Sequence, residues 1–287
     1  MNKDAQNAWS GQVRLIGVDF TSAPRPRKPI TVACGHLSGQ CVFLESLETC
    51  DDWTAFEAVL ARPGPWLGGF DFPFGLPREA VLDLGWPLEW AALVRHCVIL
   101  GRERFRTILD EYRQTRPFGQ RYAHRQTDRP AHSHSPLKLV NPPVGLMFFE
   151  GTPRLLEADV TVAGMHCADP AKVAVEAYPG LLARSITPLS YKSDEKRKQT
   201  PERRQAREQI AAALNAGSHP LGLRLAADSA LMTQIVEDPG GDLLDATLAL
   251  VQAGWSLQAG APGFGLKDGF DPLEGWIAGI VAERMVS

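Results

Sequence analysis

Three short apolar runs, each closing on a carboxylate, constrain the fold of this chain more than any other feature. Arg14-Leu-Ile-Gly-Val-Asp19, Trp66-Leu-Gly-Gly-Phe-Asp71 and Lys172-Val-Ala-Val-Glu176 read as buried strands. Ile30–Cys34 and Cys41–Leu44 read as two further strands about a Gly/Ser turn at Leu37–Gln40, an antiparallel hairpin that follows the first strand. Between them, prolines 24, 26 and 29 make Ser22–Pro29 a loop. Asp51-Asp52 caps a helix from about Trp53 to Ala61, with Trp53, Phe56 and Leu60 on one face and Pro63-Gly64-Pro65 beyond its end. The order is therefore strand, strand, strand, helix, strand. A helical crossover lays the fourth strand parallel to its neighbours. If that neighbour is the first strand, Asp19 and Asp71 meet at one edge of the sheet.

The rest of the chain is more helical. Leu88–Leu100 and Arg102–Gln114 carry helical patterns, followed by a polar segment from Thr115 to Pro143 that holds His124, His132 and His134. The stretch from about 78 to 165 reads as an insertion on a single domain spanning 13–287, with residues 1–12 as a flexible tail. An Arg-rich helix is expected over Pro201–Asn215. The clearest helix runs from Pro239 to Ala253, where Gly254 is expected to stop it, and Glu274–Ile277 is a small terminal strand or tail. The five cysteines form no CxxC pair, which argues against a disulfide framework and against thiolate metal sites. No stretch approaches the roughly 20 apolar residues that span a bilayer, and no signal peptide is visible, so a cytoplasmic protein is expected.

Acidic residues at element ends carry the candidate chemistry. These are Asp19, Asp71, Glu176 and the pair Asp242/Asp245, three apart and so on one face of a largely apolar helix. Buried carboxylates are costly unless paired or metal-bound. Each has an ordinary reading too. Asp19 can cap a turn before Thr21, and Asp71 can begin a turn at Phe72-Pro73. Glu176 can pair with an arginine such as Arg184, and Asp242 sits in a first helical turn, where the dipole favours acids. Asp245, deeper in the helix, is the hardest to explain away. Carboxylate oxygens suit hard cations such as Mg²⁺ or Mn²⁺, and two such ions about 4 Å apart activate water against a phosphodiester.

The pieces Gly17-Val-Asp19, Phe70-Asp-Phe-Pro-Phe-Gly-Leu-Pro77, Val175-Glu-Ala-Tyr-Pro179 and Asp242-Leu-Leu-Asp-Ala246 resemble the motifs of domain of unknown function family 429. That family is regarded as predicted nucleases of the ribonuclease H-like fold. The last piece also resembles the acidic pair on the final helix of bacterial Holliday-junction resolvases, which share the fold. The resemblance implies an α/β fold: a mixed sheet with a three-stranded antiparallel start and then parallel strands, flanked by helices. It implies metal ligands at Asp19, Asp71, Asp242 and Asp245, with Glu176 at the family's acidic position before Tyr-Pro. Resolvases carry Glu where this chain has Asp71, so a shorter reach is implied.

The net charge of −3 does not advertise nucleic-acid binding, so any such surface must be local. Arginines are dense from Gly101 to Pro130, and basic residues outnumber acids from Lys192 to Arg207. Both stretches could contact phosphates or be solvated surface. Lys192, after Tyr191, is the better single candidate, able to steady a phosphate or a developing negative charge. His132, His134, His124 and Cys167 fit no common zinc spacing. The function expected is a metal-dependent nuclease with a two-metal carboxylate site (Asp19, Asp71, Asp245 as core ligands; Asp242, Glu176 and Lys192 in support) acting on DNA or RNA. The alternatives are a nucleotide-binding protein of the related actin-like superfold, or a non-catalytic relative.

Overall fold

The computed structural model describes residues 12–280; of the expected tail, only Gln12 lies inside that range. The strands are β1 (Arg14–Asp19), β2 (Ile30–Ser38), β3 (Cys41–Cys50), β4 (Trp66–Asp71), β5 (Val160–Val162), β6 (Asp169–Glu176) and β7 (Arg224–Ala226). The principal helices are α1 (Trp53–Leu60), α2 (Arg78–Asp83), α3 (Trp90–Leu100), α4 (Arg102–Thr115), α5 (Asp128–Ala131), α6 (Val144–Glu157), α7 (Pro179–Ile186), α8 (Pro201–Ala216), α9 (Ser229–Glu237) and α10 (Asp242–Ala259). The strands form one seven-stranded mixed sheet in the order β5-β6-β4-β1-β2-β3-β7. β1, β2 and β3 are antiparallel neighbours, and the other pairings are parallel. β4 does lie beside β1, in a register that sets Asp19 directly opposite Asp71.

Alternation along the strands splits the core in two. Ile16, Val18, Trp66 and Phe70 face one side, where Phe56 of α1, Leu93 of α3, Phe105 of α4 and Phe148 of α6 cover them. Leu15, Leu67, Val173 and Val175 face the other, under Leu244 and Leu248 of α10 and Ile210 and Leu214 of α8. The helices between residues 78 and 157 thus form one of the two layers on the sheet.

A pair of glycines seats α10. Gly17 and Gly69 are partners across β1 and β4. A Cβ on Gly17 would lie 2.2 Å from the Ala246 carbonyl oxygen, and one on Gly69 2.5 Å from that of Ala249. The helix backbone therefore rests directly on the two central strands, and this close approach lowers its first turn onto their carboxyl ends.

Several sequence expectations are corrected in detail. α10 begins at Asp242, after Gly241 in a left-handed conformation (φ 77°), and not at Pro239. It runs through Gly254 to Ala259. Gly254 is a packing residue, since a Cβ there would come 2.6 Å from the side chain of Val42. β2 and β3 extend past their expected ends, with a register shift at Cys34/Gly35. The short β5 and β7 were not expected. The terminal segment contributes one parallel bridge, Ile277 to Glu176.

Candidate metal centre

Asp19 and Asp71 end adjacent parallel strands, and Asp245 lies in the first turn of the helix seated across them. Each offers one carboxylate oxygen to a cluster whose atoms all lie within 4.8 Å of one another. Asp245 is fully buried, and Asp19 and Asp71 are partly accessible. The cluster forms part of the lining of a cleft of about 790 Å³, bordered by residues 141–144 and by a loop between 188 and 194. Neither the Asp19 nor the Asp71 carboxylate accepts a hydrogen bond from any described residue.

Three carboxylates so close should resist full ionisation. Burial pushes the Asp19 carboxyl well above its ordinary range, and the charges of Asp245, Asp242 and Asp71 add to this against the pull of Lys192. Burial and then Asp245 push Asp71 up to about 8, again opposed by Lys192. A hard divalent cation fits this donor set, because oxygen ligands are what Mg²⁺ and Mn²⁺ take and a positive charge removes the repulsion.

One loop supplies hydrogen-bonded compensation to the cluster. The Tyr191 hydroxyl donates to Asp245 Oδ1 at 2.5 Å, and the Lys192 ammonium donates to Oδ2. Burial opposes the lysine's charge, but Asp245 and the neighbouring anions outweigh it and hold its pKa well above the ordinary lysine range. Asp242 stands outside the three-carboxylate cluster. Its Oδ1 lies 3.8 Å from Lys28 Nζ, which in turn donates to Asp194 at 3.0 Å. Burial raises Asp242's pKa, with Lys28 pulling the other way.

Glu176 is also placed elsewhere. The Arg125 guanidinium grips it with two bonds, Nη2 to Oε1 at 2.7 Å and Nη1 to Oε2 at 2.8 Å, and the Phe74 N–H donates to Oε2 at 2.9 Å. Arg125 also donates to Asp128 Oδ1 and to the Glu274 carbonyl, and all three charged side chains are buried. The partner expected from the sequence, Arg184, instead donates to the Ala131 carbonyl at 2.8 Å. Glu176 therefore joins the segment around residue 125 to the sheet, one strand away from the carboxylate cluster.

The basic segments are largely internal braces. In the stretch after Gly101, Arg102, Arg113, Arg116 and Arg125 are committed to carboxylates. On α8, Arg203 donates to the Lys192 carbonyl, Arg207 to the Tyr191 carbonyl at 2.7 Å, and Arg204 pairs with Glu208 and Glu237. The Arg203 and Arg207 contacts tie the Tyr191-Lys192 loop to α8. Among the described residues no histidine or cysteine joins a metal-holding cluster. Sequence reasoning did not single out Lys28 or Arg125. Lys28 sits in a loop that looked like a spacer, and nothing local marks Arg125 among so many arginines.

Compared with known proteins, this chain matches no family model, no curated protein and no solved structure.

Proposed function

We propose that the protein is a metal-dependent nuclease of the ribonuclease H-like kind, related to domain of unknown function family 429. The observation that carries this reading is the meeting of Asp19, Asp71 and Asp245 within 4.8 Å in the lining of an open cleft. The strand order, with antiparallel β1–β3 and β4 parallel beside β1, is compatible with that fold. Asp19, Asp71 and Asp245 hold Mg²⁺ or Mn²⁺, and bound metal supplies Lewis-acid activation of water and of the phosphoryl oxygens. The chain's own groups bind and orient. Lys192, Lys28 and Arg184 border the same cleft as the carboxylates and give a phosphate cationic partners there. The expected compartment is the cytoplasm, which fits five free thiols; no helix among the described residues is long and apolar enough to cross a membrane.

The test is cleavage of labelled DNA, RNA and branched junctions with Mg²⁺ or Mn²⁺, beside Asp19→Asn and Asp245→Asn. Metal-dependent cleavage lost in both variants supports the reading. Absence of cleavage on every substrate, in a protein that binds the metal, overturns it. Stabilisation by ATP that survives both substitutions would favour a nucleotide-binding protein instead.

A further inference from the structure

Resting on the reading of this site as a metal centre, we infer that it takes one divalent cation and that Lys192 stands where a second would act. The inference begins with charge. Asp19, Asp71 and Asp245 together carry three negative charges when ionised, and Lys192 contributes one positive charge on Asp245. One divalent ion brings the set to neutrality. A second would leave two positive charges unmatched by any carboxylate of the cluster. Asp242, the carboxylate that would serve a second ion, lies outside the cluster and faces Lys28.

The lysine is built into its position. Gly241, just before α10, has no side chain, and a Cβ there would lie 2.6 Å from Lys192 Cβ and 3.2 Å from its Cδ. The lysine stem thus runs along a gap that only glycine leaves open, at a backbone conformation (φ 77°) that favours glycine as well. The neighbouring Tyr191 fastens to the other oxygen of the same carboxylate, and Ser193 donates its N–H to the Pro239 carbonyl at 3.2 Å. Arg203 and Arg207 hold the Lys192 and Tyr191 carbonyls from behind. With its ammonium on Asp245 and its stem along Gly241, the side chain is a resident cation of the site that still borders the cleft where a phosphate would lie. Both oxygens of Asp245 have protein donors, whereas the Asp19 and Asp71 carboxylates have none among the described residues, so these two are the groups left open to hold a cation.

The experiment is titration calorimetry with Mn²⁺ on the full chain, paired with electron paramagnetic resonance of the bound ion. The expected result is about one ion per chain with the spectrum of an isolated Mn²⁺. Lys192→Met keeps the stem along Gly241 and removes the charge. In this variant the stoichiometry should rise to about two, with the exchange-coupled spectrum of a neighbouring pair. Two ions in the unaltered protein would overturn the inference while leaving the nuclease reading standing. One ion in both proteins would overturn the role given to Lys192. No binding at all would overturn both the inference and the reading beneath it. If Lys192→Met fails to fold, Lys192→Gln takes its place in the same titration, and the same outcomes decide. A protein that binds one ion yet cuts no nucleic acid would sink the nuclease reading alone.

Discussion

At the scale of single residues, the site is held under electrostatic tension. Asp71 is protonated more readily in the folded chain, with a pKa near 8, than its ordinary value of 3.8. The folded state therefore holds more protons than the unfolded state between those values, so stability falls as pH rises. The fall from this group begins above pH 4 and is complete once pH has passed about 8. In a chelator, the melting temperature should drop across that window, and Asp71→Asn should flatten the drop. Saturating Mg²⁺ should oppose it by offsetting the repulsion. A metal-free melting temperature that is level or rising from pH 5 to 8 would contradict the repulsive geometry. Arg125 offers a second check. It is 2% exposed and bound to Glu176 and Asp128, which are 3% and 0% exposed. Removing one partner of a buried ion pair strands the other, so Arg125→Met should cost ~3–5 kcal/mol in chemical denaturation. A cost near zero would mean that the carboxylates neutralise by taking up protons instead.

At the scale of elements, the decisive contact is α10 on β1 and β4. Gly17 and Gly69 let backbone meet backbone, and a methyl group at Gly17 would strike the Ala246 oxygen and the Leu250 nitrogen at 2.2 Å. Neither of those atoms is the end of a flexible side chain, so the helix itself must move. Gly17→Ala is expected to cost at least ~1–3 kcal/mol, the usual range for overpacking. It should also weaken divalent-cation binding, because lifting the helix carries Asp245 away from the strand carboxylates. Gly254→Ala meets the Val42 side chain instead and should perturb stability with little change in cation affinity. Thermal denaturation with and without Mn²⁺ separates the two cases. Equal loss of cation affinity in both variants would show that the helix seat does not set the site.

At the scale of the whole molecule, the cleft lies where the carboxyl ends of the central strands meet a helix start and two loops from distant parts of the chain. Ligand binding there links to global stability. A cation at a hundredfold excess over its Kd should stabilise the fold by about 2.7 kcal/mol, and hence raise the melting temperature by several degrees. Asp19→Asn should abolish most of that rise. Asp242→Asn should retain most of it, since Asp242 stands apart with Lys28. A larger loss in Asp242→Asn than in Asp19→Asn would move the cation toward the helix start.

Much of this architecture is written in local pattern. The runs ending at Asp19 and Asp71, the hairpin between them, the crossover helix and the apolar helix with Asp245 all follow from periodicity and from turn and cap residues. Those are properties of a few consecutive side chains, and topology then makes Asp19 and Asp71 neighbours. What periodicity cannot carry is the choice of partner among groups far apart in the chain. Glu176 takes Arg125, 51 residues away, over Arg184, only eight residues further along the chain. Asp245 takes Tyr191 and Lys192, while Asp242, three residues earlier on the same helix, goes to Lys28. The continuation of α10 through Gly254 was equally hidden, because only the packed neighbour Val42 explains a glycine there. Charge pairing and close packing depend on distance in space, so they were settled only when α10 came down on the sheet.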